Sequence, residues 1–371
     1  MDIIGIICEY NPFHNGHVYH INKIKEMYPD SLIICITSTS FLQRGEISIL
    51  NKWDKTSICL NHGINIVLEL PFVFSSQSAD IFAYGAISTL NAMKVNKIVF
   101  GSELNDINIL TTLAKKQINN NDYETKVKEY LDKGFNYPTA MSKAINSNIN
   151  TPNDLLGISY IKEIIKNNYE IEPISIKRTN DYHGSNFDGN IISASKVRSF
   201  LKENENITDF VPTNIEKYIY KNIDLFPFIK YKIIASKNIL NSFQTVDEGI
   251  ENRLLSKINK VNTLEDFIKE IKTKRYTYNK INRMLIHILT SFTKEEAKNL
   301  KTQYVRVLGF NKKGKEYLNK IKKITTLPII TSYKDINSKI LDIEYRVTNL
   351  YSLFTKDYDL ILRELKKPII K

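Results

Sequence analysis

Ile3-Ile4-Gly5-Ile6-Ile7-Cys8-Glu9-Tyr10-Asn11-Pro12-Phe13-His14-Asn15-Gly16-His17 decides how this chain reads. Ile3–Cys8 is a short apolar run, the length of a strand buried on both faces. A polar turn follows. A helical stretch then runs from about Gly16 to Met27. In an open α/β sheet, ligands bind beyond the carboxyl ends of the strands, near the point where strand order reverses. A helix N-terminus there offers unpaired N–H groups and a partial positive charge, which suits phosphate. Gly16 has no Cβ, so a nucleotide can come close to the backbone. His14 and His17 are three apart at the same turn, so their rings can converge on one phosphate group and donate hydrogen bonds to it.

The same alternation continues outward. Ser31–Thr37 reads as a second buried strand and about Asn51–Asn61 as a helix, with Gly63 where a C′ residue would sit. Ile64–Leu70 is a third strand ended by Pro71. A helix over about Ala79–Met93 leads to a fourth strand, Lys97–Phe100. More helices follow through Ile165, then a strand over about Glu170–Lys177, a polar loop Arg178–Asn190, and a helix from Ser193. This is the pattern of βαβ units and a parallel sheet covered on both faces. Near Lys202–Thr213 strand signals thin out, and the remainder reads as mostly helical.

The chain has 371 residues, 42% hydrophobic and 25% charged, with only 13 Gly and 10 Pro. Disordered, collagen-like and low-complexity classes are excluded. No apolar run approaches the ~20 residues of a membrane span. No signal peptide is expected. Cys8, Cys35 and Cys59 have no CxxC spacing and read as buried, reduced thiols of a cytoplasmic protein. Net charge is +12, but residues 1–200 carry 19 Lys+Arg and 20 Asp+Glu (19 − 20 = −1), and residues 201–371 carry 33 and 20 (33 − 20 = +13). Such asymmetry points to two modules, one of which meets a polyanion. The expected division is 1–205 and 206–371.

Three of the six histidines fall at 14, 17 and 20, which raises metal ligation and plain structural packing as alternatives. There is no HExxH, and neither cysteine nor carboxylate has the usual ligand spacing, so no metal ligands are assigned. The second motif is Ile192-Ser193-Ala194-Ser195-Lys196-Val197-Arg198. Ser193 is a fitting N-cap. Ser195, Lys196 and Arg198 then crowd a first turn where cations oppose the helix dipole, a conflict that a bound polyphosphate would remove. Alone this motif is weak. Paired with His14-Asn15-Gly16-His17 it is strong.

At these residues the chain resembles the H-x-G-H nucleotidyltransferases, whose Rossmann-like fold is shared with class I aminoacyl-tRNA synthetases. The longer string from Glu9 to His20 is more specific. With Val99–Glu103, Pro152–Gly157, Lys177-Arg178-Thr179, Lys274–Thr277 followed by Arg283, and Arg306–Asn311, it resembles the bacterial tRNA(Met) cytidine acetate ligase family over nearly the whole chain. The resemblance implies a Rossmann-like catalytic domain followed by a mostly helical, basic tRNA-binding domain. It implies that acetate and ATP form acetyl-adenylate, whose acetyl group passes to N4 of the wobble cytidine of elongator tRNA(Met). It implies an ATP site lined by Ile7, Cys8, Glu9, Tyr10, Asn11, Pro12, Phe13, His14, Asn15, Gly16, His17, Val18, Tyr19 and His20, completed by Gly101, Asn153 and Arg178. Gly101 could equally be a strand-end turn, Asn153 an N-cap, and Arg178 a solvated charge. His14, His17, Ser195, Lys196 and Arg198 are the expected catalytic groups, with Mg²⁺ bridging phosphate oxygens. No obligate protein partner is implied. Tyr10 and Phe13 are the expected walls of a small acetate pocket, or else packing for the first helix.

Between Glu270 and Glu295 there is no acidic residue, while Lys272, Lys274, Arg275, Lys280, Arg283 and Lys294 stand there with Tyr276, Tyr278 and Phe292. Between Glu296 and Glu316 acids are again absent, with Arg306 among the cations and Tyr304 and Phe310 among the aromatics. Basic groups can neutralise phosphates while rings stack on unpaired bases. Lys272, Lys274, Arg275, Tyr276, Lys280, Arg283 and Arg306 are the expected RNA contacts. Two rival functions share these signatures. One is a small-molecule adenylyltransferase. The other is a non-catalytic RNA-binding protein with a vestigial nucleotide fold.

Overall fold

A computed structural model describes residues 1–119, 122–135, 137–145, 149, 151–178, 189–273 and 275–371. Most of the expected loop 178–190 and the expected RNA contact Lys274 therefore lie outside the described residues. Five strands form a parallel sheet: β1 (Ile3–Cys8), β2 (Leu32–Ser38), β3 (Ile66–Leu70), β4 (Lys97–Ser102) and β5 (Glu172–Lys177). The chain steps outward from β1 to β2 to β3, then returns to lay β4 and β5 on the other side of β1. The reversal beside β1 opens a crevice at the carboxyl ends of β1 and β4.

The strands form where expected because their apolar residues fill both faces. On β1 and β2, Ile3, Leu32, Ile34 and Ile36 enter one core while Ile4, Ile6, Ile33 and Cys35 enter the other. That is the period of two that a pleated strand imposes. Local signals fix the helix ends. Asn51 Oδ1 accepts the N–H groups of Trp53 and Asp54 at 3.0 and 2.8 Å and starts the helix Lys52–Asn61. Gly63 takes φ +93° just past its end, a conformation that carries little penalty only without a Cβ.

The second part is mainly helical, as expected, but it also supplies strands. β6 (Val305–Phe310) pairs antiparallel with β3, and β7 (Ile329–Ile330) and β8 (Ile369–Ile370) both pair with β6. The sheet therefore has eight strands and crosses residue 205. This seam holds a fully buried ionic cluster. Lys52 Nζ lies 2.8, 2.6 and 3.5 Å from Glu69, Glu364 and Glu344, and Arg306 lies 3.3 and 2.6 Å from Glu69 and Glu364. Arg306, expected to meet RNA, is 1% exposed. Its guanidinium is committed to internal carboxylates, so that expectation is corrected.

Among the described residues, no helix is long and apolar enough to cross a membrane.

Candidate functional site

The crevice holds a cavity of about 290 Å³ at the carboxyl ends of β1, β4 and β5. Its lining includes the end of β1 with the following turn, Leu42–Arg44 with Glu46, the start of the helix Pro152–Lys166, Arg178, and Ile191–Ser195 with Arg198. Among the described residues, four cations line it (Arg44, Lys177, Arg178, Arg198) against two carboxylates, Glu9 and Glu46. The balance favours a polyanion.

His14 is the N-cap of the helix Asn15–Met27. Its Nδ1 accepts the Gly16 N–H at 3.0 Å, and its own backbone N–H donates to His17 Nδ1 at 3.1 Å. The two rings lie face to face but tilted by 34°, with centroids 3.8 Å apart. Both Nδ1 atoms are acceptors, so in each neutral ring the proton sits on Nε2. Both imidazoles are neutral. Burial, then Arg178 and Arg198, lowers His14 to about 3. Burial, then His14, His20 and Arg178, holds His17 well below its usual value. The turn therefore presents two preset Nε2–H donors without imidazolium charge. His20 is likewise held down, to about 4, by burial and Arg178.

The ISASKVR motif closes the opposite wall. Ser193 Oγ accepts the Lys196 N–H at 3.3 Å and caps the helix Ala194–Lys202. Ser195 and Arg198 line the cavity. Arg198 donates to Asn11 O at 2.7 Å and pairs with Glu46 at 2.8 Å, joining the two motifs. Lys196 does not line it. Its exposed ammonium lies 4.6 Å from the centre of the Phe200 ring, on the same helix as Ser195 and Arg198.

Gly101, Asn153 and Arg178 do line the cavity. Asn153 is not an N-cap, since Thr151 holds that position and Asn153 donates instead to Glu103. Arg178 lies 3.7 Å from Glu103, so it is not a solvated charge. Of the span Ile7–His20, Pro12, Phe13, Asn15 and Val18 stay outside the lining. Phe13 is 0% exposed and packs on Tyr10, His17 and His62. It supports His17 and is no acetate-pocket wall. Asn15 ties the helix start to Asn190 O and Asp209 O at 3.1 and 2.9 Å.

Sequence reading missed two parts of the lining. One is the turn Leu42, Gln43, Arg44 and Glu46. The other is the aromatic set Phe82, Phe100 and Tyr160. Glu9 Oε1 accepts the Gln43 N–H at 2.6 Å, and burial pushes its carboxyl up despite that bond. The signal for the turn was present: Arg44-Gly45-Glu46 follows the carboxyl end of a buried strand, where ligands bind.

In the basic windows the aromatics divide. Tyr276, Phe292 and Tyr304 are buried, and the Tyr276 hydroxyl donates to Asp247 O at 2.7 Å. They are core residues rather than stacking platforms, and the expected RNA contact at Tyr276 is corrected. Lys280 lies half-buried over the Tyr276 ring at 4.0 Å. Lys272 and Arg275 are exposed, and Arg275 pairs with Asp132 and Glu248 at 3.2 and 3.4 Å. Tyr278 is 51% exposed. Arg283 is half-buried and donates to Gln43 O at 3.2 Å, beside the cavity.

Residues 1–363 match the HIGH Nucleotidyl Transferase family. The chain is 38% identical to the tRNA(Met) cytidine acetate ligase of Caldicellulosiruptor saccharolyticus, over 96% of this chain and 95% of that protein. It is 35% identical to the enzyme of that name from Clostridium acetobutylicum, over the full length of both. The crystal structure of Thermotoga maritima TmcAL bound with alpha-thio ATP superposes with a TM-score of 0.88 at 29% identity, covering 100% of this chain and 99% of that one.

Proposed function

The chain belongs to the HIGH nucleotidyl transferase family, among the tRNA(Met) cytidine acetate ligases, and from that premise we propose that it acetylates the wobble cytidine of elongator tRNA(Met) with acetate and ATP. The observation that carries the reading is the pair of neutral, backbone-locked histidines in the wall of a cavity that cations also line.

In the first step an acetate oxygen attacks the α-phosphorus of ATP. The bond from that phosphorus to the bridging oxygen breaks, and pyrophosphate leaves with the electron pair. Negative charge builds on the phosphate oxygens. The Nε2–H groups of His14 and His17 donate to them, and no rearrangement is needed because main-chain bonds already fix both rings. Ser195, Arg178 and Arg198 hold the outer phosphates. Cys8, Gly101 and Asn153 line the nucleoside side. In the second step N4 of the cytosine attacks the acyl carbon. The carbon–oxygen bond to AMP breaks, and N4 loses a proton. The wobble base is unpaired in its loop, which lowers the cost of bringing it into the cavity. Positioning supplies much of the rate.

Mg²⁺ would arrive on the phosphates of ATP. The two carboxylates lining the cavity are committed elsewhere, Glu9 to Gln43 N–H and Glu46 to Arg198, and among the described residues no cluster of three His, Cys, Asp or Glu could hold a metal. Residues 1–205 would carry the ATP chemistry, and 206–371 would carry the tRNA, through Lys272 and Arg275 among the exposed cations. Substrates of this kind support a cytoplasmic location.

The test is to incubate the protein with ATP, labelled acetate and total tRNA, then digest the tRNA to nucleosides. Label in N4-acetylcytidine is expected. Absence of acetate activation together with adenylylation of a phosphorylated metabolite would favour the small-molecule adenylyltransferase.

A further inference from the structure

Arg283 stands in a basic, acid-free segment, yet its hydrogen bond leads inward. Its guanidinium donates to Gln43 O at 3.2 Å, across 240 residues of chain. Gln43 belongs to a tight turn in which Leu42 N donates to Glu46 O and Gly45 N donates to Leu42 O, both at 2.9 Å. Gly45 adopts φ +74°, and a Cβ there would come within 2.3 Å of Arg283 N and 2.4 Å of Asn282 C. The turn is thus seated against the backbone of the helix Tyr278–Leu289.

The same helix grips the turn a second way. His287 Nε2 lies 2.8 Å from Ser76 O, and the Gln43 side chain donates to Gln77 O at 3.0 Å. From the turn, two bonds reach the nucleotide cavity. Gln43 N–H holds Glu9, the residue just after β1, at 2.6 Å. Glu46 holds Arg198, the last cation of the second motif, at 2.8 Å. Arg198 in turn holds Asn11 O at 2.7 Å. Two walls of the cavity are therefore fixed to one turn, and that turn is fixed to the helix of Arg283.

We infer that Arg283 is a positioning residue of the nucleotide site, acting through the turn Leu42–Glu46 rather than as a tRNA phosphate contact. The inference concerns adenylate formation and so rests on the ligase reading. It goes beyond that reading by assigning a residue of the basic part to the first half-reaction. Small displacements of positioning groups are costly: about 1 Å of misplacement can lower a rate on the order of a hundredfold.

The experiment compares wild type with Arg283→Met, which keeps the aliphatic stem and removes the donor, and Arg283→Lys, which restores a donor. Acetate-dependent ATP–pyrophosphate exchange is measured without tRNA, together with ATP affinity by equilibrium dialysis, tRNA affinity and the melting temperature. The expected result is a fall in the exchange kcat of roughly ten- to a hundredfold in Arg283→Met, with a smaller change in KM for ATP and tRNA affinity unchanged. Arg283→Lys should recover much of the loss. Wild-type exchange in Arg283→Met, whatever happens to tRNA affinity, would overturn the inference. A loss of cooperative melting in Arg283→Met and in a second variant, Arg283→Ala, would also overturn it, because the residue would then serve the fold. If the wild-type protein activates no acetate but adenylylates a phosphorylated metabolite, the ligase reading fails on its own, and the rate of that adenylylation in Arg283→Met against wild type still reads the positioning role.

Discussion

His14 and His17 owe their orientation to main-chain hydrogen bonds, so each ring is aimed before any ligand arrives. Replacing either by Ala removes one preset donor, and exchange of pyrophosphate into ATP with acetate should fall by roughly 10²- to 10³-fold in folded protein. Near wild-type exchange in both variants would end the phosphate role. Their neutrality matters as well. His14 is lowered to about 3 by burial and the nearby arginines, so neither ring gains or loses activity by protonation across the neutral range. Phe13 acts one step behind them. It is fully buried against His17 and Tyr10, so Phe13→Ala leaves a hole rather than a larger acyl pocket. A stability loss of about 3–5 kcal/mol is expected by urea unfolding, with no gain of activity toward propionate or butyrate. A stable variant that accepts those acids would restore Phe13 to the pocket wall.

At the scale of elements, the exposed start of the basic segment separates from its buried continuation. Lys272 and Arg275 stand in solvent after the helix Leu264–Ile271, whereas Arg283 turns inward. Changing Lys272 and Arg275 together to Glu should weaken tRNA binding and flatten its salt dependence, because fewer counterions are released. Acetyl-adenylate formation without tRNA should be untouched. Unchanged tRNA affinity across a salt series would make this face merely solvated. These elements also show what the sequence made legible. β1 to β5 and their helices were readable because their apolar residues are contiguous and their caps are local, as with Asn51 and Ser193. The two motifs were readable because their chemistry is compressed into a few residues. β6 was not, because Arg306 interrupts its apolar run and its partner Glu69 lies 237 residues away. β7 and β8 are two residues each, too short for any periodicity. The turn Leu42–Glu46 shows its position after the end of β2 but not its long-range bonds to Glu9, Arg198 and Arg283, and Tyr276 and Phe292 are claimed by a core that composition does not reveal.

The whole molecule is held across its seam by the ionic cluster that joins β3, the helix Lys52–Asn61, β6, the helix Lys339–Thr355 and Glu364. Two cations face three carboxylates, an excess of one negative charge in a fully buried place. Glu364 sits 2.6 Å from both Lys52 and Arg306 and stays ionised, with its carboxyl held below the usual range. Glu344 is the farthest from a cation, 3.5 Å from Lys52, so it is the group that takes the proton. Burial, then Glu69, raises it to about 7. The sign follows from linkage. Between its ordinary value near 4.5 and about 7, the unfolded chain gives up this proton while the folded chain keeps it, so this group makes stability fall as pH rises through that window. Glu344→Gln removes the titration and can still accept from Phe72 N–H and donate to Thr39 Oγ1, the two partners that Glu344 already has at 2.7 and 2.8 Å. Wild type and Glu344→Gln should therefore unfold at similar urea concentrations near the acidic end. Above neutrality the variant should be the more stable, by on the order of 1–3 kcal/mol. A wild type that gains on the variant as pH rises would mean that Glu344 is ionised and paired with Lys52, and that the cluster holds its full negative excess without a proton.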